Sequence, residues 1–266
     1  MRKISALVRA TWLTAKSYRM SLLFSFGGLA VAFVPLYLAA RALQPVAADS
    51  IQAEGGEYFG FLVLGLVATS LINFAMRALP GAISSGIASG TLEALLATPT
   101  RLVTLLAGLV AYPFLLTIAR SVLFLVGMVL VGTSVVWTGV PLAIAVLALI
   151  LVAHLSIGLA AAALHLVFRT SGPLTSAVLT VSTLLGGVYY STNVIPEVIR
   201  PLSAAVPLMY GLRALRRALL SGEPVGAVAA DVGILATFAA VGLAVGFTAF
   251  GWALRYARRA GTLAQY

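Results

Sequence analysis

The sequence has no cysteine and very few charged residues. Without cysteine there is no disulfide framework and no thiolate chemistry. Only 9% of the 266 residues are charged, whereas a soluble domain carries about 25%. So small a charged fraction cannot cover a surface that faces water. The sequence therefore excludes an ordinary soluble protein.

The usual catalytic signatures are also missing. The sequence contains no Gly-Lys pair, hence no GxxxxGK[ST] loop that would cradle the phosphates of ATP, and it has no HExxH or GxSG motif. Its two histidines, His154 and His165, lie about 16 Å apart along a helix, which is too far to bind one metal ion. We therefore expect no enzyme, no catalytic residue, no metal site and no cofactor bound by this chain.

Long apolar runs dominate what is present. The chain is 61% hydrophobic with a mean hydropathy of +1.08, and its length suits about six spans of roughly 20 residues each. The sequence predicts an all-α polytopic membrane protein, a single transmembrane domain over residues 1–266. The six predicted transmembrane helices are about 22–40, 58–76, a stretch within 102–133, 142–168, 173–190 and 232–254.

The segments outside these spans have their own patterns. Residues 1–21 have one apolar helical face flanked by Arg9 and Lys16, which predicts an interfacial helix. The alternative is a soluble N-terminal segment whose basic residues only set the orientation of the first span. Residues 191–226 are partly polar, and Pro207 and Gly222 suit a helix start and end. We expect two short helices there, which dip into the outer leaflet and return before the last span and tail, 227–266.

The distribution of charge predicts the orientation. With the N-terminus inside, eleven Lys and Arg residues fall on the cytoplasmic side and five outside, and six of the seven acids fall outside. Both termini are therefore predicted to be cytoplasmic. Basic residues flank apolar runs, so the net charge of +10 indicates membrane lipids, not nucleic acid, as the partner. The Arg-, Ala- and Gly-rich composition favours a bacterial source and thus the cytoplasmic membrane.

The stretch 90–99 predicts a short cytoplasmic helix between the second and third spans. Gly90 is a suitable N-cap residue for this helix, and the carboxylate of Glu93 would interact favourably with the helix dipole at its N-terminus. Pro99 would end the helix. Its apolar face consists of Leu92, Leu95 and Leu96. Such a face needs a docking partner; the alternative is packing against the membrane surface or against the chain's own helices.

The chain resembles the membrane subunits of type-2 ABC exporters over its whole length. Three features carry the resemblance: the N-terminal interfacial helix, the G-T-L-E-x-L-L-x-T-P pattern within residues 86–101, and the segment 207–222 between the last two spans. The resemblance implies two copies of a separate ATP-binding subunit, which would hold ATP and Mg²⁺. It also implies a second permease chain, identical to this one or a paralogue.

Site residues follow from the same resemblance. It implies that the helix after the second span is a coupling helix, seated in a groove of the ATP-binding subunit, with Glu93 as an ion-pair partner. Its residues would be Gly90, Thr91, Leu92, Glu93, Leu95 and Leu96. It also implies an outer gate in the re-entrant helices, with Pro207, Tyr210, Arg213, Arg216 and Arg217. The density of arginines in that gate departs from the family's pattern.

Arg120 is the only charge deep within an apolar run. Such a charge costs at least about 2.5–3.5 kcal/mol, so it is a functional candidate that meets an anionic substrate or a lipid phosphate. The alternative is snorkelling to an interface. The expected function is export of a hydrophobic or amphipathic substrate, such as a drug, a lipid or a lipid-linked glycan. The rivals are a non-transporting scaffold or receptor and a membrane-embedded lipid enzyme.

Overall fold

The computed structural model describes residues 19–90, 102–168 and 172–259, and these residues are helical apart from short connections. The predicted interfacial helix lies outside the described residues except for its last three residues, which belong to the first described helix. Most of the predicted coupling helix, from Thr91 on, also lies outside them.

The described residues form eight α-helices and three short 3-10 helices. The α-helices are α1 (Arg19–Ala47), α2 (Tyr58–Ala88), α3 (Leu102–Leu130), α4 (Val140–Phe168), α5 (Gly172–Leu185), α6 (Arg200–Ala204), α7 (Pro207–Leu219) and α8 (Val225–Arg259). The 3-10 helices are Ala48–Glu54, Trp137–Gly139 and Thr192–Val194.

Five of the helical stretches are long and apolar enough to cross a membrane. They correspond to α2, α3, α4 and α8, and to α1 together with the 3-10 helix that follows it. Five of the predicted spans are therefore confirmed as long apolar helices. The predicted fifth span, 173–190, is a shorter helix: α5 has 14 residues, about 21 Å against a hydrocarbon core of about 30 Å. The helix ends early because Gly187 adopts φ +76, which turns the chain.

The second predicted span also needs a correction at its end. The sequence predicts that this span ends at about residue 76, yet α2 continues through Arg77 and Pro80 to Ala88. Leu79 and Ile83 are buried in a cluster with residues of α4 and α8. This packing stabilises helix that local propensity alone would not. Gly90 then adopts φ +66, a conformation typical of a residue that ends a helix.

The centre of the bundle consists of α2 and α4, which pack against each other, while α8 packs on α4 and α3 packs on α2. A Cβ at Gly158 of α4 would lie 2.1 Å from the carbonyl oxygen of Ala75 in α2, so only glycine fits there. Gly242 and Gly246, the GxxxG pair of α8, lie directly against Ser156. Small residues thus bring these helices into close contact, as in other membrane bundles.

The connections collect at one end of the bundle, which we call the loop end: residues 48–57, 131–139 and 186–224. Leu219 accepts a backbone hydrogen bond of 2.9 Å from Val136, and Gly55 abuts Leu220. The ends of α2, α4 and α8 meet at the opposite end, where Leu166 packs with Ile83. The chain therefore passes from the opposite end back to the loop end between Phe168 and residue 188.

Candidate functional site

Arg216 of α7 is the most deeply buried charge at the loop end, with 2% of its surface exposed. Its Nη1 atom donates to the Glu54 carboxylate at 3.1 Å and to the Gly187 carbonyl at 2.9 Å. Its Nη2 atom donates to the carbonyls of Phe61 and Val188, both at 3.1 Å. One guanidinium therefore connects α7, the first 3-10 helix, α2 and the turn after α5.

The side chain of Arg216 is closely packed. Its guanidinium carbon lies 3.3 Å from the centre of the Phe61 ring, a cation–π contact that is strong when desolvated. A Cβ at Gly65 would lie 3.2 Å from Nη2. Burial lowers the pKa of Arg216 to about 10, and the charge of Glu54 opposes that shift. The guanidinium therefore stays charged at neutral pH.

Further polar contacts surround this pair. Ser191 donates to the second oxygen of Glu54 at 3.3 Å, and the Tyr58 hydroxyl donates to the Tyr189 carbonyl at 2.9 Å. Thr133, after α3, donates to Glu57 at 2.8 Å. These contacts join connections that are distant in the sequence. The loop end is therefore one hydrogen-bonded unit and not a set of independent loops.

Arg213 and Arg217 face the start of α8. Arg213 forms a two-pronged ion pair with Asp231, in which Nε donates to Oδ2 at 2.8 Å. Asp231 is buried, and its hydrogen bond raises the pKa of Arg213 above its usual value. Arg217 pairs with Glu223 at 2.5 Å and lies 4.0 Å from Asp231. Together with Arg216, each arginine of α7 is therefore paired with an acid.

The remaining residues of the predicted gate set the direction of α7. Pro207 begins the helix and is buried. The Tyr210 hydroxyl donates to the Ala204 carbonyl at 2.9 Å, which closes the turn between α6 and α7, and the Tyr210 ring packs 6.3 Å from that of Phe238. The apolar stripe of α7 is buried throughout: Leu208, Leu212, Leu215 and Leu219. The five predicted gate residues share one helix but contact different neighbours.

Sequence reasoning found the arginines of this site but missed their acids. The sequence indicated only that these acids belong to the same predicted side as the arginines; they are Glu54, Glu223 and Asp231. The pairing itself required the fold, because Arg216 and Glu54 lie 162 residues apart.

Arg120 lies on α3 and lines a cavity of about 500 Å³ between α2 and α3. Arg77 of α2 lines the same cavity, together with Ser70, Asn73 and Thr117. A second cavity, of about 290 Å³, lies at the loop end, and the described side chains that line it are all apolar, with Trp137 and Leu219 among them.

His154 of α4 is an interior residue. The Nδ1 atom of His154 forms a hydrogen bond of 2.9 Å with the Ile150 carbonyl, and the side chain is fully buried. Within the described ranges no three His, Cys, Asp or Glu side chains are grouped so that they could hold a metal ion.

Comparison with known families finds a match that covers most of the chain. The family model described as ABC-2 type transporter matches residues 2–220. The matched range includes the predicted coupling segment and all of α7, and it ends before α8. A comparison with curated proteins finds no match.

Proposed function

The chain belongs to the ABC-2 type transporter family as a membrane-spanning permease domain, and we propose that it is the permease subunit of an ATP-driven exporter. Two permease chains, identical or paralogous, would assemble with two copies of a separate ATP-binding subunit. The family match over residues 2–220 is the observation that carries this proposal. The sequence agrees with a separate ATP-binding subunit, because it has no phosphate-binding loop of its own.

The proposed topology has six crossings with both termini in the cytoplasm. The connections after α1 and after α3 both contribute to the loop end, and so does the chain after α5, through Gly187 and Val188. Since α4 ends at the opposite end, the segment from Gly172 to residue 188 returns the chain across the bundle. The loop end would face outward, with α6 and α7 re-entrant there.

Coupling to ATP would pass through the segment after α2. In the proposed mechanism, residues 91–98 form the coupling helix, with Glu93 paired to a basic residue of the ATP-binding subunit and Leu92, Leu95 and Leu96 in its groove. ATP-driven closure of the partner subunits would draw two such helices together. The bundles would then rock between inward-open and outward-open states, a rigid-body transition.

The proposed substrate is hydrophobic or amphipathic and leaves the cytoplasm or the inner leaflet. The apolar cavity at the loop end and the scarcity of charge in the long helices support an apolar substrate portion. In the proposed outer gate, the ion pairs of α7 would hold the re-entrant helices against α2 and α8. The composition supports a bacterial cytoplasmic membrane as the location.

Transport into inside-out membrane vesicles tests the proposal. Vesicles would be prepared from cells that express the chain with the ATP-binding protein encoded beside it, and a panel of fluorescent amphiphiles would be offered with ATP or with a non-hydrolysable analogue. Export predicts ATP-dependent accumulation of at least one amphiphile inside these vesicles. ATP-dependent uptake only into right-side-out vesicles would contradict the outward direction.

The rival functions make different predictions in the same assay. A scaffold or receptor would bind its partners without any nucleotide-dependent flux. A membrane-embedded lipid enzyme would change its substrate chemically, which thin-layer chromatography of the vesicle lipids detects. The described residues supply no cluster of acids or histidines for such chemistry.

A further inference from the structure

Two arginines from different helices line one cavity near the middle of the bundle. Arg77 belongs to α2 and Arg120 to α3, and the cavity that they share has a volume of about 500 Å³. Ligand sites in proteins generally measure about 300–1,000 Å³. The cavity is therefore large enough for a small charged group with part of its apolar chain.

The lining combines cations with neutral hydrogen-bonding groups and apolar walls. Ser70, Asn73 and Thr117 contribute hydroxyl and amide groups, and none of the lining residues that the structure describes is acidic. The apolar part of the wall consists of Phe74, Ala78, Pro113 and Leu116. A site of this composition complements a ligand that has an anionic group next to an apolar portion.

The cavity extends from the middle of the long helices to the predicted cytoplasmic side. Ser121, next to Arg120, lies 3.1 Å from Ser70, and Ser70 is about 18 Å along α2 from Tyr58 at the loop end. Arg77 is about 28 Å along the same helix. One guanidinium is thus at mid-depth and the other near an interface, which is where a headgroup from the inner leaflet would first arrive.

We propose that Arg77 and Arg120 bind the phosphate group of an anionic amphiphile that enters this cavity from the inner leaflet. A guanidinium matches phosphate geometry with two parallel donors, and an ionisable residue inside the membrane generally marks a ligand pathway. This inference rests on the proposed function, since it assigns a chemical class to the exported substrate. It gives Arg77 a role that its position at a span end did not indicate.

Direct binding to the purified full-length chain tests the inference. The probe is a fluorescent phosphatidic acid in uncharged detergent micelles, and its anisotropy is measured as the protein is titrated. Wild-type protein is expected to bind it saturably. Arg77→Gln and Arg120→Gln should each weaken binding by at least about tenfold, because each removes a charge-assisted contact. Arg255→Gln, an exposed arginine of α8 on the same predicted side, is the matched control and should retain wild-type affinity.

Competitors identify the source of the phosphate. Dodecyl phosphate should displace the probe, whereas inorganic phosphate at the same concentration should not. Equal displacement by inorganic phosphate would overturn the assignment to an amphiphile. Conservative Arg77→Lys and Arg120→Lys variants retain the charge and should bind better than the Gln variants. They serve as a second comparison if a Gln variant fails to elute as a monodisperse species.

The outcome separates this inference from the proposed function. The binding assay contains no ATP-binding subunit and measures no transport. Unchanged affinity in the double Gln variant, or an equal loss in the Arg255→Gln control, would overturn the anion site and leave the exporter proposal standing. Absence of ATP-driven flux with intact, arginine-dependent binding would overturn the exporter proposal and leave the site.

Discussion

Arg216 and Glu54 form a buried ion pair in which Nη1 lies 3.1 Å from Oε2. The pair links α7 to the 3-10 helix between α1 and α2, and both side chains are less than a tenth exposed. Removing one partner would leave the other charge buried and unpaired, which costs about 3–5 kcal/mol. This ion pair therefore contributes to the attachment of α7 to the rest of the bundle, together with the buried leucines of that helix.

The first prediction concerns this attachment. Arg216→Ala and Glu54→Gln should each lower the thermal unfolding midpoint of the purified chain in mild detergent by on the order of 10 °C. Arg200→Ala is the control, because Arg200 is exposed and makes only a 3.3 Å contact with the Asn193 carbonyl. Equal midpoints for Arg216→Ala and Arg200→Ala would contradict the anchoring role.

The second prediction compares two acids that both contact arginines of α7. Asp231 is buried, whereas Glu223 is partly exposed. Asp231→Asn should destabilise the protein clearly, because it leaves Arg213 without its two-pronged partner. Glu223→Gln should change the free energy of unfolding by at most about 1 kcal/mol, as is typical of exposed pairs. Thermal unfolding of both variants, side by side, checks the order; a larger loss for Glu223→Gln would reverse the interpretation.

The third prediction uses the absence of cysteine, which makes any introduced cysteine unique. Val198→Cys, at an exposed position of the loop end, should react with a membrane-impermeant maleimide in intact cells. Ser89→Cys, at the opposite end of α2, should react only after the membrane is permeabilised. Arg259→Cys should behave like Ser89→Cys if six segments cross.

Labelling of Ser89→Cys in intact cells would reverse the proposed orientation. Labelling of Arg259→Cys but not of Val198→Cys in intact cells would mean five crossings, and the segment from Gly172 to residue 188 would then need a new assignment.

The sequence predicted the long helices well because apolar runs determine them directly. Hydropathy was sufficient to predict α2, α4 and α8, and Pro207 and Gly222 were sufficient to predict a helix at α7. Hydropathy overestimated the length of the fifth span, because the turn at Gly187 depends on contacts with Arg216 and Thr192. It also ended the second span too early, because Leu79 and Ile83 are stabilised by helices that follow much later in the chain.

The site was predictable in part. Arg120 was singled out by its isolation in an apolar run, but its neighbour Arg77 was assigned only to the positive-inside count. Only the packing of α2 on α3 brings both arginines to one cavity. Likewise, the excess of arginines in α7 looked anomalous until Glu54 and Asp231 were found beside them. A sequence pattern shows that such charges are present, but it does not show which residues they pair with.

Purification of the tagged chain from its native operon, with nucleotide and in mild detergent, tests the central claim most directly. Mass spectrometry should find a stoichiometric soluble protein that contains a GxxxxGK[ST] loop. Glu93→Arg should fold normally but lose that protein and its transport, whereas Glu197→Arg, at an exposed loop-end position, should retain both. Recovery of the wild-type chain alone, or normal transport by Glu93→Arg, would contradict the account.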